Sequence, residues 1–203
     1  MYKAQTTDGE IVAIKQLENY DRSFCSMRDT LREIFVLRKM SSISKNSYTN
    51  RLIDIIFDVS DEKNKSIYLV LEYAQSDLRK LITHQSQVYS EEHIIIFLYN
   101  ILCALNLLHS GGIAHRDIKP ANILVNGNSS IRICDFGMSR VIPDASEKRD
   151  RDRTPDVCTR VYRSPEIILF DRNYGTAVDI WSLGCVLYEL IWGCDVYHKN
   201  KSK

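Results

Sequence analysis

Several stretches of this 203-residue chain carry side chains able to handle a highly charged group. His115-Arg116-Asp117-Ile118-Lys119-Pro120-Ala121-Asn122 puts a carboxylate, two cations and an amide on one short run, and Asp135-Phe136-Gly137 adds a second carboxylate. Lys15, inside the apolar Val12-Ala13-Ile14-Lys15 run, adds an ammonium group, and Glu33 lies downstream of it. Aspartate and asparagine oxygens are hard ligands of the kind magnesium takes, and a carboxylate can accept a proton. Any one of these residues alone says little, because a lone lysine in a strand or aspartate in a loop is ordinarily solvated or paired for stability. One local pattern does bring two of them together. Ile123-Leu124-Val125 and Ile131-Arg132-Ile133-Cys134 flank the turn-rich Asn126-Gly127-Asn128-Ser129-Ser130. Such a stretch folds two short strands back on each other, which places Asn122 near Asp135.

In order and spacing, with Glu33 on the intervening helix and Ser164-Pro165-Glu166 further on, these motifs resemble the catalytic signature of eukaryotic protein kinases over nearly the whole chain. The resemblance implies phosphoryl transfer from ATP with Mg2+, a reaction whose catalysis is mostly positioning and charge neutralisation. It assigns Lys15 to the α- and β-phosphates, Glu33 to an ion pair with Lys15, and Asp117 to the proton of the substrate hydroxyl. Lys119 falls to the γ-phosphate, and Asn122 and Asp135 to magnesium. Leu71 matches the residue at the back of the nucleotide pocket, Glu72 to Ala74 the hinge whose backbone binds adenine, Asp77 the ribose contact and Leu124 a further nucleotide contact. Phe136, His115 and Leu37 match an apolar spine joining two lobes. Asp179 matches a buried carboxylate that holds the catalytic loop's backbone, although its place at a helix start equally suits an N-terminal cap.

Within the family, Glu92-His93-Ile94, Phe97 to Leu102, Ile133 to Arg140 and Thr159 to Glu166 are similar to mitogen-activated protein kinases, members of the proline-directed group. That similarity implies transfer to Ser or Thr before Pro in protein substrates, an upstream activating kinase, and a monomer of the cytoplasm or nucleus without nucleic-acid or membrane partners. Thr154-Pro155-Asp156 departs from the Thr-x-Tyr of those kinases, and Val161 replaces their usual tryptophan. An acidic residue at position 156 suits cyclin-dependent kinases, the first alternative. Thr154 is read as a phosphorylation site and Asp156 as a fixed negative charge. Arg32, Arg116 and Arg140 are expected to converge unpaired on the phosphate, with Arg160 and Arg163 facing Asp156. Tyr2-Lys3-Ala4 resembles the strand that follows a Gly-rich loop, no GxGxxG occurs, and the chain stops soon after the Asp179 helix. A kinase fold incomplete at both termini is therefore expected. A catalytically inactive fragment serving as an interaction module is the second alternative.

The elements that must position these residues read as α+β and two-lobed, with a small sheet lobe carrying one helix over 1–73 and a mainly helical large lobe over 74–203. Ile11 to Leu17 alternates as a strand, and Met27, Leu31, Ile34 and Leu37 recur at helical spacing. Leu52 to Val59 and Ile67 to Tyr73 read as a hairpin around the polar Ser60 to Ser66. Glu91 to Ser110 is apolar around most of its circumference and is expected to be buried at a domain centre. Ala177 to Trp192 is a second apolar helix, Asp144 to Asp152 a solvated loop, and His198 to Lys203 a frayed end. Charge favours no polyanionic partner: 27 basic residues against 26 acidic leave a net +1. Asn100 and Asn106 are expected to keep the longest apolar run short of a membrane span, and Met1 to Glu10 lacks a signal-peptide layout. The six cysteines form no CxxC pair and read as reduced, buried thiols.

Overall fold

The computed structural model describes residues 1–58, 60, 65–83, 90–127, 130–142, 160–169, 171 and 174–201. Strands β1 (Tyr2–Gln5), β2 (Ile11–Glu18), β3 (Leu52–Asp58) and β4 (Ser66–Glu72) form one antiparallel sheet in the order β1-β2-β4-β3. Central β4 is buried at Ile67, Leu69, Val70 and Leu71, as a run of β-branched and aliphatic residues allows. Helix α1 (Phe24–Ser41) crosses the sheet, starting at Ser23, whose hydroxyl accepts the Ser26 N–H at 3.1 Å.

The face of α1 that packs inward matches the expected stripe only in its second half, where Leu37 is buried and Ile34 packs against the core. Thr30, Glu33, Val36, Leu37 and Met40 are buried, whereas Met27 and Leu31 are exposed along with Phe24 and Phe35. Glu33 meets Lys15 from this helix, so a polar residue sits on the inner face while the N-terminal part of the apolar stripe, Met27 and Leu31, faces outward.

The remainder is mainly helical. It comprises β5 (Ser76–Asp77), α2 (Leu78–Thr83), α3 (Glu91–Ser110), β6 (Ile113–Ala114), β7 (Ile123–Val125), β8 (Ile131–Ile133), β9 (Arg140–Val141), α4 (Pro165–Ile168) and α5 (Ala177–Lys201). Tight 3₁₀ turns cover Pro120–Asn122 and Arg160–Tyr162. The expected β7–β8 hairpin forms in the register Ile123 opposite Ile133, and β5 adds to its other edge. Residues 48–50 bond to Ile133 on both sides of its peptide, which fastens the sheet part to this hairpin.

Helix α3 has the expected bounds but is buried on one side only. Phe97, Ile101, Ala104, Leu105 and Leu108 are inside, while Ile95, Ile96, Tyr99 and Leu102 are exposed. By length and a mean hydropathy of 1.6 it is apolar enough to cross a membrane, contrary to expectation. Asn100 does not interrupt it, because its side-chain amide donates to the Ile96 carbonyl one turn back at 2.8 Å. Its inner face packs on β6, β8 and α5, so it serves here as a core helix. Helix α5 buries Val178, Leu183, Val186 and Leu190 and continues through His198 to Lys201, beyond the expected fraying point. The thiols differ too: Cys25 is exposed, and Cys103, Cys134 and Cys185 are free but only half-buried.

Candidate active site

Lys15 projects from β2 and is met from two directions. Its Nζ donates to Glu33 Oε1 of α1 at 2.6 Å and to Asp135 Oδ1, just past β8, at 2.9 Å. Burial alone would lower the Lys15 ammonium, but the two carboxylates overrule it and hold it above the usual lysine range. Burial lifts the Glu33 carboxyl above its ordinary value against the pull of Lys15. Burial also pushes on Asp135, yet the charge and hydrogen bond of Lys15 leave its carboxyl below the usual range.

The segment between β6 and the Pro120–Asn122 turn is held from below. Asp179, fully buried in the first turn of α5, accepts the His115 N–H on Oδ2 at 2.8 Å and the Arg116 N–H on Oδ1 at 2.7 Å. His109, in the last turn of α3, meets Oδ2 at 2.8 Å. Of the two roles the sequence leaves open for Asp179, the carboxylate thus takes the loop-holding one. These bonds fix a backbone that would otherwise relax, since Arg116 has φ +66° and Asp135 φ +64°. A non-glycine residue in this left-handed region costs on the order of 1–3 kcal/mol.

The His115 ring ties the loop to the Asp135 turn. Its Nε2–H donates to the Cys134 carbonyl at 3.0 Å, and its Nδ1 accepts the Asp117 N–H at 3.2 Å. The ring meets Phe136 edge-on, with centroids 5.3 Å apart. His115, Phe136 and Leu37 are all buried, and Leu37 and Phe136 belong to one apolar core cluster.

Asp117, Lys119 and Asn122 form a second polar cluster. Asp117 Oδ2 accepts from Lys119 Nζ at 2.7 Å and from Asn122 Nδ2 at 2.8 Å, and Asn122 Nδ2 also donates to the Asp117 carbonyl at 2.9 Å. The two clusters meet at the hairpin base, where the Cys134 N–H donates to the Asn122 carbonyl at 3.0 Å. With its amide nitrogen committed to Asp117, Asn122 offers only its oxygen toward a metal, and Asp135 Oδ2 is a second hard oxygen nearby in the chain. Among the described residues, no group of three His, Cys, Asp or Glu side chains could hold a metal. This donor set fits magnesium, which is commonly bound by one or two protein oxygens plus substrate phosphates and water.

The expected nucleotide-contacting residues sit on β4, on β5, on β7 and just after β4. Leu71 is buried opposite Ala13, and Ala74 is half-buried. Glu72 turns its carboxylate to Arg132 of β8 at 2.6 Å. Asp77 and Leu124 are cross-strand partners, and Asp77 Oδ1 accepts the Lys80 N–H at 3.0 Å, starting α2.

Thr154 and Asp156 lie outside the described residues. Of the arginines expected to converge unpaired, Arg32 is paired with Asp29 on its own helix at 2.7 Å. An acid three positions earlier shares its helix face. Arg116 is engaged as well: its Nε donates to the Met138 carbonyl and its Nη1 to the Tyr174 hydroxyl, each at 2.7 Å. Arg140, in β9 opposite Ala114, and Arg163 also have partners. Arg160 opens the 3₁₀ turn that ends at Tyr162. That turn is fastened to α5 by Ser182 Oγ donating to the Tyr162 carbonyl at 2.7 Å and by the Tyr162 hydroxyl donating to Glu189 at 2.6 Å. Burial, with Glu189 adding, raises the Tyr162 phenol above its ordinary value. Beside it Val161, Trp181, Tyr188 and Trp192 wall an open groove of about 620 Å³.

His109 and Tyr174 belong to this framework and were not singled out from sequence. A histidine in the last turn of an apolar helix was the available signal for the first, and nothing local marks the second.

A lysine–glutamate pair under an antiparallel sheet, facing a carboxylate loop anchored on a buried helix, defines an α+β protein of the protein kinase class. The sequence matches the protein kinase domain family across residues 1–203, and the chain belongs to that family. It is similar to the serine/threonine-protein kinase NLK2 of Xenopus laevis, 41% identical over 91% of this chain and 39% of that protein. It is also 39% identical to the mitogen-activated protein kinase KSS1 of Saccharomyces cerevisiae, over 90% of this chain and 50% of that protein. Mitogen-activated protein kinase 4 of Oryza sativa subsp. japonica is 41% identical over 90% of the chain and 47% of its own length. The chain thus spans half or less of the length of these relatives.

Proposed function

We propose that this chain carries the catalytic centre of a protein serine/threonine kinase of the mitogen-activated type, moving the γ-phosphate of ATP to Ser or Thr in proteins. The observation that carries this reading is Lys15 bonded at once to Glu33 and Asp135, which gathers residues from β2, α1 and the β8 turn at one point. Phosphoryl transfer asks for that kind of convergence, with a fixed cation for phosphate oxygens and hard oxygens for a metal. Magnesium, when bound by Asn122 and Asp135, supplies charge neutralisation for the phosphates. Lys15 orients the nucleotide, Lys119 stands beside Asp117 as a second cation, and Asp117 takes the hydroxyl proton. The sheet part over 1–73 and the helical part over 74–203 serve as the two lobes, with Leu71, Glu72, Ala74, Asp77 and Leu124 around the nucleotide between them. An upstream kinase acting on Thr154 and proteins carrying Ser-Pro or Thr-Pro are the partners this reading names, in the cytoplasm or nucleus.

The test is transfer of radiolabelled γ-phosphate to matched peptides containing Ser-Pro, Ser-Ala or Tyr-Pro, with and without magnesium. Label on Ser-Pro well above Ser-Ala, absent from Tyr-Pro and dependent on magnesium is expected. Equal labelling of all three peptides would contradict the assignment.

A further inference from the structure

Arg116 lies where three parts of the chain meet. Its backbone N–H is bonded to Asp179 of α5, its Nε reaches Met138, just past the Asp135-Phe136-Gly137 turn, and its Nη1 reaches Tyr174, ahead of α5. The guanidinium therefore bridges two points far apart in sequence, one on each side of the segment that includes residues 143–159. We propose that Tyr174 is a positioning residue for phosphotransfer that acts through Arg116, its hydroxyl locking the guanidinium across this span and so fixing the backbone of Asp117. The proposal rests on the phosphotransfer reading above.

Arg116 has φ +66°, a conformation held only while both ends of the residue are restrained. Asp179 restrains the backbone, and Met138 and Tyr174 restrain the side chain. Asp117 follows directly, so rotation about the Arg116 backbone would swing its carboxylate away from Lys119 and Asn122, each now within 2.8 Å of it. The bond to Tyr174 has a charged donor, which makes it stronger than one between neutral groups. The Tyr174 ring is half-buried, so phenylalanine would keep its packing and remove only the oxygen. Lysine at position 116 would keep the charge but lose the fork that spans both acceptors.

The experiment uses the full chain with magnesium-ATP and a Ser-Pro peptide, comparing the parent, Tyr174→Phe, Arg116→Lys and the double variant. Tyr174→Phe is expected to lower kcat by about tenfold with KM for ATP unchanged, and to lower the Tm by only a few degrees. In the Arg116→Lys background the same change should cost less than about twofold, because the bond is already gone. Equal effects in both backgrounds, or a larger fall in Tm, would overturn the proposal and leave Tyr174 as a packing residue. Hydrogen exchange at the Ser139 and Arg140 amides supplies a readout that needs no turnover. It should quicken alike in Tyr174→Phe, Arg116→Lys and the double variant, and parental exchange in Tyr174→Phe would overturn the tether. A parent that transfers no phosphate would instead remove the phosphotransfer reading, with the exchange data still judging the tether.

Discussion

Replacing Asp179 with asparagine keeps the side chain's shape and removes the charge on which the His115–Arg116 backbone rests. Oδ2 serves two donors, His109 Nε2 and the His115 N–H, while Oδ1 serves the Arg116 N–H alone. An asparagine would turn its oxygen toward the first pair and set its NH2 against the Arg116 N–H, donor facing donor. One charge-assisted bond would be lost outright, worth about 1.5–3 kcal/mol, and the other two would fall to about 1 kcal/mol each. Relief of a buried charge offsets part of this. The net loss expected is about 3 kcal/mol, a large share of the roughly 5–15 kcal/mol that stabilises a typical domain. Both tryptophans, Trp181 and Trp192, lie on α5, so urea unfolding followed by their fluorescence reports on the helix that carries the substitution. Exchange at the His115 and Arg116 amides should rise in parallel. A stability change under about 0.5 kcal/mol with parental exchange at both amides would refute the idea that Asp179 holds the loop.

Lys15→Met should cost about 3–5 kcal/mol at neutral pH, because it strands Glu33 as a buried charge. The Glu33 carboxyl is already raised by burial and would rise further. A group raised on folding stabilises the fold when protonated and loses that contribution as pH rises, so the variant's deficit should shrink as pH falls toward about 5. Urea titrations giving the same deficit at about pH 7 and about pH 5 would contradict this. In the parent, Asp135 has the opposite sign: its carboxyl is lowered, mainly by Lys15 working against burial, so its contribution is present at neutral pH and lost in acid. For Cys134, burial pushes the thiol up to about 12, so little thiolate exists near neutrality. Iodoacetamide at about pH 8 should label exposed Cys25 well before Cys134, and equal labelling in the folded chain, read by mass spectrometry, would count against a raised Cys134 thiol.

The placement of the chemistry was legible where local pattern and motif coincided. The β7–β8 hairpin and the position of Asp135 after it are enough to bring Asn122 near Asp135, and the Cys134 N–H bond to the Asn122 carbonyl closes that hairpin base. What was not legible depends on tertiary demands. Met27, Leu31, Ile34 and Leu37 mark an apolar stripe on α1, but Glu33 faces Lys15 on the inner side, so Leu37 is buried and Ile34 packs against the core while Met27 and Leu31 stay exposed. The all-round apolarity of α3 suggested full burial, whereas only the Phe97, Ile101 and Leu105 side is covered. Arg32 is paired within its own helix, because Asp29 lies one turn away. His109 and Tyr174 gain their roles from contacts 70 and 58 residues distant, which no window along the chain reveals.

The most direct measurement is the rate of magnesium-dependent phosphate transfer from ATP to a Ser-Pro peptide by the parent, Asp117→Asn and Asp135→Asn, with folding of each confirmed by its urea midpoint. Transfer by the parent and a loss of at least about 100-fold in each folded variant are expected if Asp117 takes the hydroxyl proton and Asp135 serves the metal. Near-parental rates in either variant, or no transfer by the parent, would contradict that assignment.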